Sequence, residues 1–570
     1  MILSKKKKIF LLFSSVLLVG FTWVANVLET AQLQPWSSVL EEQFVTPVST
    51  VAMFQSAQRR AVDIEYDEIK SLVSQAVKAA GGLESIISDG DSVILKPNLV
   101  GSGGVRPFVN GVTTDHRVVR AVSELVRELN PGGWIGVLEG SAPGNRQSTR
   151  DMFELYDYNK TNLPEVNDII ALEDIDGEDK DYDSPRLVSV SLADSVSLYP
   201  ESQKPNKSRE IYLSKLYTNA DAVISIPVLK NHESAALTVG IKNTSIGMTP
   251  PSIYRKDLYN IPNLRFEIDH SYPNMHKWIH DFFMCRPTDF VVVDALQGLQ
   301  HGPGGGGSTS SNRMNMRLIL AGRDLVAVDV IAAHLIGLDP GKINYLTYLH
   351  NDHAGCADHR LIRLKGNVRV SDVKKKFDHN DSRTIAVMVS DFTPPVLEIN
   401  RLEVQGNQLY VSLDVSRDTE MIEIAIDGER LDQVVISNFD NIRLPWEHVA
   451  TDHTLELIAY DAYRNCTSVT TTVTEVKTRP QIARTFELRP NVPNPFNPST
   501  TITYAVDKTD HIRLDIFNVR GEHLRTVVNE QQSAGTYSVL FHAEDLPSGS
   551  YLYRLTAGER SIVGKMVLVR

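Results

Sequence analysis

The stretch SVILKP at residues 92–97 decides the fold of the longest part of the chain. Its apolar residues form a short continuous run, which is typical of a strand that is buried on both faces of a sheet. Residues 66–80 before it have the apolar spacing of a helix, and Gly81-Gly82 follows, where a helix C-terminus often has glycine. A helix followed by a buried strand predicts an α/β domain.

The same alternation continues along the chain. Residues 116–129 have helical apolar spacing, Pro131-Gly132-Gly133 interrupts it, and WIGVLEG at 134–140 is the next predicted strand. Further elements are predicted at ADAVISIPVL (220–229), TDFVVVDAL (288–296), MRLILAG (316–322) and a helix at 325–336. Apolar strands separated by helices predict a mostly parallel sheet with both faces covered, in an α/β domain at residues 55–385.

The N-terminus has the layout of an export signal. Four lysines, at positions 5–8, precede an apolar run that starts at Ile9. We expect a signal peptide at residues 1–28, cleaved near Ala25, followed by a linker at 29–54. The alternative is a retained membrane anchor, because the apolar stretch extends to Leu28 without a clear cleavage site.

After Asp391 the predicted strands alternate without helices. The segment begins with TPP at 393–395, has a turn at Asp427-Gly428 and ends with LELIAYDAYRN at 455–465. Residues 390–476 resemble an immunoglobulin-like β-sandwich. A second all-β sandwich is predicted at 485–570, with turns at 518–521, 534–535 and 547–549.

The last module contains four characteristic blocks: NPFNPST (494–500), IFNVRG (516–521), SGSYLYRL (548–555) and KMVLVR (565–570). In this order they resemble the C-terminal sorting domain of the type IX secretion system. The resemblance implies the type IX secretion machinery as a partner and passage across the outer membrane of a Gram-negative cell, with transient membrane contact during export. It also implies a secreted or outer-surface location.

The α/β domain resembles the family called domain of unknown function 362. The matching stretches are VILKPNLV (93–100), VTTDHRVVRAV (112–122), VLEGS (137–141), ADAVISIPVLKNHESAALTVGIKN (220–243), VVVDALQGLQHGPGG (291–305) and LILAGRDLVAVDVIAAHLIGLD (318–339). The family has no settled activity to transfer, and some members carry iron–sulfur modules. Because Cys285, Cys356 and Cys466 form no CxxC pair, an iron–sulfur cluster lacks ligands here.

Polar residues follow the predicted strands, and the carboxyl ends of parallel strands meet at one edge of a sheet, where such folds bind ligands. The predicted ligand-binding residues are Lys96, Asn98, Lys230, His232, Lys242, Asn243 and His301, and the predicted acid–base residues are Glu139 and Asp294. Two lysines at one edge favour an anionic ligand such as phosphate or carboxylate. The alternative roles are strand caps, a flexible loop after Gln300 and solvent-facing charges.

A metal site is a further hypothesis. His276 and His280 in MHKWIHD are four residues apart, so on a helix they share one face and are spaced to bind a divalent metal ion. The glutamate of an HExxH motif is absent, and an incidental pair is the alternative. The identity of any cofactor is otherwise unknown.

Some of the acids have predicted capping roles. Thr114 and Asp115 precede the helix at 116–129, so one of them is expected to cap it while the other faces the sheet edge. Asp324 is predicted to cap the helix at 325–336. Asp329 lies inside that apolar helix and requires a buried partner.

Two functions from different classes fit the sequence. The first is an exported protein whose α/β domain binds a small anionic or metal-bound ligand, with or without acting on it. The second is a noncatalytic surface adhesin or scaffold that binds glycan or protein. The formal net charge of −12 opposes phosphate backbones and excludes nucleic acid as the expected partner. No reaction is readable, so catalysis is left open.

Overall fold

A computed structural model describes residues 43–100, 110–140, 148–176, 181–193, 196–198, 210–254, 268–302, 310–379, 388–446, 452–473, 486–532, 535–543 and 546–569. The predicted signal peptide, the linker up to residue 42 and turn residue 534 lie outside these ranges. The chain divides into two compact units. The first contains residues up to Asn400 with Ser412–Ile442 and Thr454–Thr471, and the second contains Arg401–Val411, Arg443–His453 and the residues from Thr472 onward.

The α/β part of the first unit alternates strands and helices. Its strands are β1 (Phe44–Val45), β2 (Ser49–Gln55), β3 (Ser92–Pro97), β4 (Trp134–Glu139), β5 (Asp168–Ala171), β6 (Leu187–Ser191), β7 (Glu210–Ser214), β8 (Ala222–Ile226), β9 (Val228–His232), β10 (Ala236–Thr238), β11 (Phe290–Leu299), β12 (Arg313–Gly322) and β13 (Ile362–Gly366). Its helices are α1 (Tyr66–Ala79), α2 (His116–Leu129), α3 (Thr149–Leu155), α4 (Leu172–Asp176), α5 (Lys215–Asn219), α6 (Gly240–Ser245), α7 (Pro251–Tyr254), α8 (Asn274–Cys285), α9 (Leu325–Leu335), α10 (Asn344–Asn351) and α11 (Val370–Val373).

The described strands form a ten-stranded sheet in the order β13-β2-β12-β11-β8-β3-β4-β5, to which β9 adds beside β11 and β10 beside β9. Strand β12 is antiparallel to both neighbours, and β10 is antiparallel to β9. The remaining neighbours run parallel. The predicted mostly parallel α/β sheet is therefore confirmed.

Two apolar layers cover the sheet, because alternate residues of each strand point to opposite faces. Val93 and Leu95 of β3 pack in the layer that contains α1 and α2, whereas Ile94 faces the opposite side. Helices α8 and α9 supply the core on that second side around the central strands. The continuous apolar run that predicted β3 reflects this burial on both faces.

The order of the strands reverses beside β3. From β3 the chain continues through α2 to β4 and then to β5, and it later returns to β8 on the other side of β3. The point between β3 and β8 is thus a topological switch point. In doubly wound sheets the carboxyl ends of the strands at such a point border the ligand crevice.

The linker predicted at 29–54 is wrong from residue 44 onward. Strand β2 lies inside the sheet between β12 and β13, and β1 pairs with the strand Val434–Val435. The apolar run of β2 is only the four residues Val51–Phe54, of which the first three are fully buried and Phe54 is partly buried. So short a run is a weak sequence signal, and the partners that make it a strand lie more than 250 residues away.

Antiparallel sheets follow the α/β part, as predicted. The strands are β14 (Leu397–Gln405), β15 (Gln408–Val415), β16 (Thr419–Ile426), β17 (Glu429–Arg430), β18 (Val434–Val435), β19 (Ile442–Pro445), β20 (His453–Asp461) and β21 (Cys466–Val473). One sheet has the order β1-β18-β16-β20-β21 with β17 beside β16, and the other has the order β14-β15-β19. The predicted turn at Asp427-Gly428 connects β16 and β17.

The C-terminal module is a second all-β structure. Its strands are β22 (Glu487–Leu488), β23 (Ser499–Val506), β24 (Asp510–Asn518), β25 (His523–Gln532), β26 (Gly535–His542), β27 (Gly549–Ala557) and β28 (Arg560–Leu568). They form sheets of order β22-β23-β26 and β25-β24-β27-β28, which share an apolar core. In the part of the chain described here, no helix has the length and apolarity needed to span a bilayer.

Removal of β2 tests its place in the sheet. A chain that begins at Ser56 is expected to lose cooperative folding, because β12 and β13 lose their shared partner and three buried side chains leave the core. Near-ultraviolet circular dichroism and thermal unfolding measure the effect against a matched chain that begins at residue 43. Equal unfolding midpoints in the two chains would show that β2 is dispensable.

Candidate functional site

Lys96 and Glu139 form a buried ion pair at the carboxyl ends of β3 and β4. Lys96 Nζ lies 2.8 Å from Glu139 Oε1, and the exposed fractions of the two side chains are 0% and 3%. Nζ also donates to the Pro97 carbonyl at 2.7 Å, and the N–H groups of Leu99 and Gly140 donate to the Glu139 carboxylate at 2.9 and 2.8 Å. These contacts favour a positioning role for Glu139, and its acid–base role stays a prediction.

Asn98, Lys230 and Asn243 extend this network across the switch point. Lys230 Nζ donates to Asn98 Oδ1 at 2.6 Å and to the Val112 carbonyl at 2.8 Å. Asn98 Nδ2 donates to Asn243 Oδ1 at 3.2 Å, and Asn243 Nδ2 donates to the Lys96 carbonyl at 2.9 Å. Four predicted ligand-binding residues therefore meet at one place on the sheet edge.

The charge of Lys230 is poorly compensated. Its two hydrogen-bond acceptors are neutral, and its side chain is fully buried. Burial lowers the pKa of this ammonium group well below its usual range, and the positive charge of Lys242 lowers it further. The protein environment thus disfavours the ammonium form, which a negatively charged neighbour would stabilise.

Asp294 lies beside the N-terminus of α2. Its Oδ2 accepts the N–H of Asp115 at 2.8 Å, and its Oδ1 accepts the N–H of Leu296 at 3.1 Å. Burial raises the pKa of Asp294 to about 7, and the Asp115 carboxylate contributes in the same direction. A carboxyl group with this pKa exchanges a proton near neutral pH, as a general acid or base must.

The division of roles between Thr114 and Asp115 is as predicted. Asp115 caps α2, where it accepts the N–H of Arg117 at 3.0 Å and pairs with the Arg117 guanidinium at 2.8 Å. Thr114 Oγ1 accepts the N–H of Asn98 at 2.8 Å, and the Thr114 N–H donates to the Asn98 carbonyl at 2.9 Å. Thr114 therefore connects the α2 cap to the network around Lys230.

His232 and Lys242 lie near the same network. His232 Nδ1 accepts the N–H groups of Ser234 and Ala235, both at 3.2 Å, which closes the turn between β9 and β10. Burial lowers the pKa of His232 well below its usual range, and the charge of Lys242 is the next cause. The charge of Lys242 lowers the pKa of both His232 and Lys230, so its half-buried side chain lies near this edge of the sheet.

His301 has a different neighbourhood from the other predicted residues. Its Nε2 lies 3.6 Å from Asp378 Oδ2, and the next N–H, that of Gly302, donates to Asn231 Oδ1 at 2.9 Å. Residues 303–309 of the glycine-rich loop lie outside the described residues. The role of His301 in anion binding stays a prediction.

The predicted metal pair stays a prediction. His276 Nδ1 accepts the Tyr345 N–H at 3.3 Å, and its Nε2 lies 3.1 Å from the Ser234 carbonyl. His280 Nδ1 and Nε2 each lie 2.8 Å from a carboxylate oxygen, of Asp281 and Asp352 respectively. Protein groups engage both nitrogens of each ring, so a metal ion bound here would have to replace some of these contacts.

Asp329 has the buried partner that its position in an apolar helix required. Its carboxylate accepts the N–H groups of Gly240 and Ile241 at 2.8 and 3.3 Å and the Tyr345 hydroxyl at 3.1 Å. Burial raises its pKa to about 7. Asp329 thereby anchors the start of α6, the helix that carries Lys242 and Asn243, while Asp324 caps α9 as predicted.

Sequence reasoning missed several members of the site. Ser225 in β8 accepts a hydrogen bond from Asn243 Nδ2 at 3.1 Å. Asn231 donates to the Asp378 carbonyl at 2.7 Å and accepts the N–H of Gly302 at 2.9 Å. A serine within an apolar strand and an asparagine between a lysine and a histidine were the available signals. Within the described ranges, no group of three or more His, Cys, Asp or Glu side chains is arranged to hold a metal ion.

The buried ion pair can be tested by a double-mutant cycle. Glu139→Gln leaves the Lys96 charge buried without its partner, so we expect it to lower the free energy of unfolding by about 3–5 kcal/mol. Adding Lys96→Met removes that charge and is expected to recover part of the loss. Denaturant unfolding measures both, with Asp63→Asn as the control because it breaks an exposed pair with Arg60 and should change little. Equal losses in Glu139→Gln and Asp63→Asn would contradict the assignment.

The raised pKa of Asp294 predicts a pH dependence of stability. The folded-state pKa of about 7 exceeds the ordinary value of 3.8, so between these pH values the folded protein holds a proton that the unfolded chain has released. The free energy of unfolding therefore falls as pH rises through this window, by up to about 1.4 kcal/mol per pH unit for one group. Asp294→Asn should make this slope shallower. A slope should remain in the variant, because the pKa of Asp329 is also raised to about 7.

Urea unfolding at several pH values across that window measures the slope. Asp63→Asn, which removes an exposed acid, is the control and should leave the slope between these values close to that of the parent protein. A slope in Asp294→Asn equal to that of the parent protein would be inconsistent with a raised pKa.

Two family models match the chain. The model described as Domain of unknown function (DUF362) matches residues 93–334, and the model described as Secretion system C-terminal sorting domain matches residues 492–569. The first match contains Lys96, Glu139, Lys230 and Asn243. Both resemblances expected from the sequence are thus confirmed.

A curated relative is the thylakoid-associated protein sll1697 of Synechocystis sp., which is 24% identical over 284 residues, 50% of this chain and 75% of the relative. Among solved structures, dimeric latent PorU of Porphyromonas gingivalis is 14% identical with a TM-score of 0.15, over 35% of this chain and only 22% of PorU. Fibronectin(III)-like modules of Clostridium thermocellum CbhA are 13% identical with a TM-score of 0.13, over 30% of this chain and 93% of the modules.

TM-scores this low do not establish a shared fold, so the two domains are assigned from the two family models. The sorting domain indicates a secreted or outer-surface protein and implies interaction with the type IX secretion machinery. The chain therefore carries a DUF362 domain at residues 93–334 and a secretion system C-terminal sorting domain at residues 492–569.

Proposed function

We propose that the DUF362 domain of this exported protein binds a small anion, such as a phosphate or carboxylate compound, between the carboxyl ends of β3 and β8. The observation that carries the proposal is Lys230, a fully buried lysine whose amine is held by two neutral acceptors. Burying a cation without an opposite charge is costly. A bound anion supplies that charge.

The nearby ion pairs support this assignment. Lys96 is compensated by Glu139, and Arg117 is compensated by Asp115. Lys230 differs from both, because its hydrogen-bond acceptors, Asn98 Oδ1 and the Val112 carbonyl, are neutral. The buried cations also favour a pocket over the adhesin alternative, which requires an exposed recognition surface.

Asp294 is the group at this edge best suited to proton transfer. Its pKa of about 7 allows it to act as acid or base on a bound anion at neutral pH. The expectation of a divalent metal stays a prediction, and elemental analysis of the purified protein checks it.

Anion binding is expected to depend on both lysines. Isothermal titration calorimetry with inorganic phosphate, and separately with citrate, should detect binding to the parent protein and little or none to the variant with Lys230→Met and Lys242→Met. The matched control is Lys215→Met, which changes a lysine bonded to the Pro185 carbonyl far from this edge. Unchanged binding by the double variant, or no binding of either anion by the parent protein, would refute the proposal.

The same site predicts coupling between binding and protonation. Because burial lowers the pKa of Lys230 in the empty site, an anion that stabilises the ammonium form causes proton uptake on binding. Affinity for an anion of constant charge, such as sulfate, should therefore increase as pH falls. Calorimetry in buffers of different ionisation enthalpy measures the proton uptake, which Lys230→Met should abolish.

A further inference from the structure

A second cluster of buried polar groups lies away from the sheet edge, within the first compact unit. Arg464 follows β20 in the turn before β21, and its side chain is fully buried. Its Nη2 donates to the carbonyls of His359 and Ile362, the latter at 2.7 Å. The arginine thus projects from the immunoglobulin-like sheet into the α/β part of the same unit.

The guanidinium carbon lies 5.5 Å from the centroid of the Tyr460 ring, but the other nitrogens have no hydrogen-bond acceptor in the described part of the chain. Among the described residues, Arg464 Nε and Nη1 are buried without a hydrogen-bond acceptor. Burial lowers the pKa of Arg464, although a guanidinium stays protonated in proteins. A buried positive charge with unsatisfied donors is unfavourable unless an acceptor of opposite charge is present.

Two histidines complete the cluster. His334 of α9 is fully buried, and in the described structure neither of its ring nitrogens has a hydrogen-bond partner. The His359 ring lies 6.1 Å from it between centroids, and His359 Nδ1 is also unpartnered among the described groups. A neutral imidazole has one N–H donor. His334 therefore adds one donor beside the arginine, whereas the N–H of a neutral His359 lies on Nε2, which faces Glu420.

The surrounding carboxylates each have a partner, and the partner of Glu420 is His359 itself. Asp358 pairs with Arg360 at 2.8 Å, and Glu423 pairs with Arg430 at 3.2 Å and accepts the Tyr460 hydroxyl at 3.1 Å. Glu420 lies 3.0 Å from His359 Nε2, on the other side of that ring, and is about two-fifths exposed.

A second cation lies on the remaining side. Lys374 donates to the carbonyls of Asp391 and Tyr463 at 2.8 and 3.1 Å, and burial lowers its pKa to about 8. The acids near Arg464 thus have partners of their own, including Asp461, which accepts the N–H groups of Tyr463 and Asn465. None of them accepts a hydrogen bond from Arg464 Nε or Nη1 in the described structure.

We propose that Arg464 and His334 bind a small inorganic anion, chloride, in the interior of the first unit, beside the ring of His359. The positive charge and the N–H donors select an anion over a metal cation. The complete burial of Arg464 and His334 favours a monatomic ion over a carboxylate or phosphate compound. Bound there, the ion stabilises the contact of the β20–β21 turn with the segment 359–362.

Ion-dependent stability tests this proposal. The thermal unfolding midpoint of the full chain is measured while chloride replaces gluconate at constant ionic strength. A ligand that binds only the folded state raises the midpoint in a saturable manner, so we expect an increase of several degrees that levels off with chloride concentration. An equal midpoint in the two salts, or a rise without saturation, would overturn the proposal.

Variants locate the effect. Arg464→Met should abolish the chloride-dependent shift, and His334→Leu, which retains most of the side-chain volume, should reduce it and keeps the test valid if the arginine variant fails to fold. Arg363→Met is the control, because Arg363 pairs with the exposed Asp432 and should leave the shift unchanged. Crystals grown in bromide should show an anomalous peak beside Arg464. A full chloride response in His334→Leu and no such peak would point to buried water instead of an ion.

Discussion

The parallel pairing of β3 with β8 is the constraint on which the α/β structure depends. It aligns Val93 with Ala222 and Pro97 with Ile226, so both strands end at the same level. The two neighbours of β3 are reached by different routes. The chain passes from β3 through α2 to β4 on one side, and it returns later from β7 to β8 on the other side. This reversal opens the sheet edge where Lys96, Asn98 and Asn243 meet, because no single connection covers both strand ends.

Hydrogen bonds between buried polar groups fix the arrangement of side chains at this edge of the sheet. Lys96, Glu139 and Asn243 are almost fully buried, yet each has partners at hydrogen-bond distance. A network of this kind tolerates little rearrangement, since each lost partner leaves a buried group unsatisfied. Asp329 of α9 adds to this network, because its carboxylate accepts the N–H groups of Gly240 and Ile241 at the start of α6 and thereby positions Asn243.

Local sequence patterns predicted an element correctly where the signal lies within that element and its flanking residues. The apolar spacing of residues 116–129 predicted α2 correctly, and the sequence limited its cap to Thr114 or Asp115, of which the structure selects Asp115. Strand β2 was missed because four apolar residues are a weak signal without the neighbours β12 and β13. The spacing of His276 and His280 correctly placed them on one helix, but it contained nothing about the carboxylates and backbone groups that engage their rings.

The sequence by itself determined the order of elements, the sorting module and the positions of polar residues after strands, since these follow from local periodicity and contiguous motifs. Tertiary structure alone decided which of those residues meet. It joined Lys230 to Asn98, separated by 132 positions, and it surrounded His280 with two carboxylates. Partners so distant in sequence are selected by strand order and packing, because no local interaction between neighbouring residues encodes them.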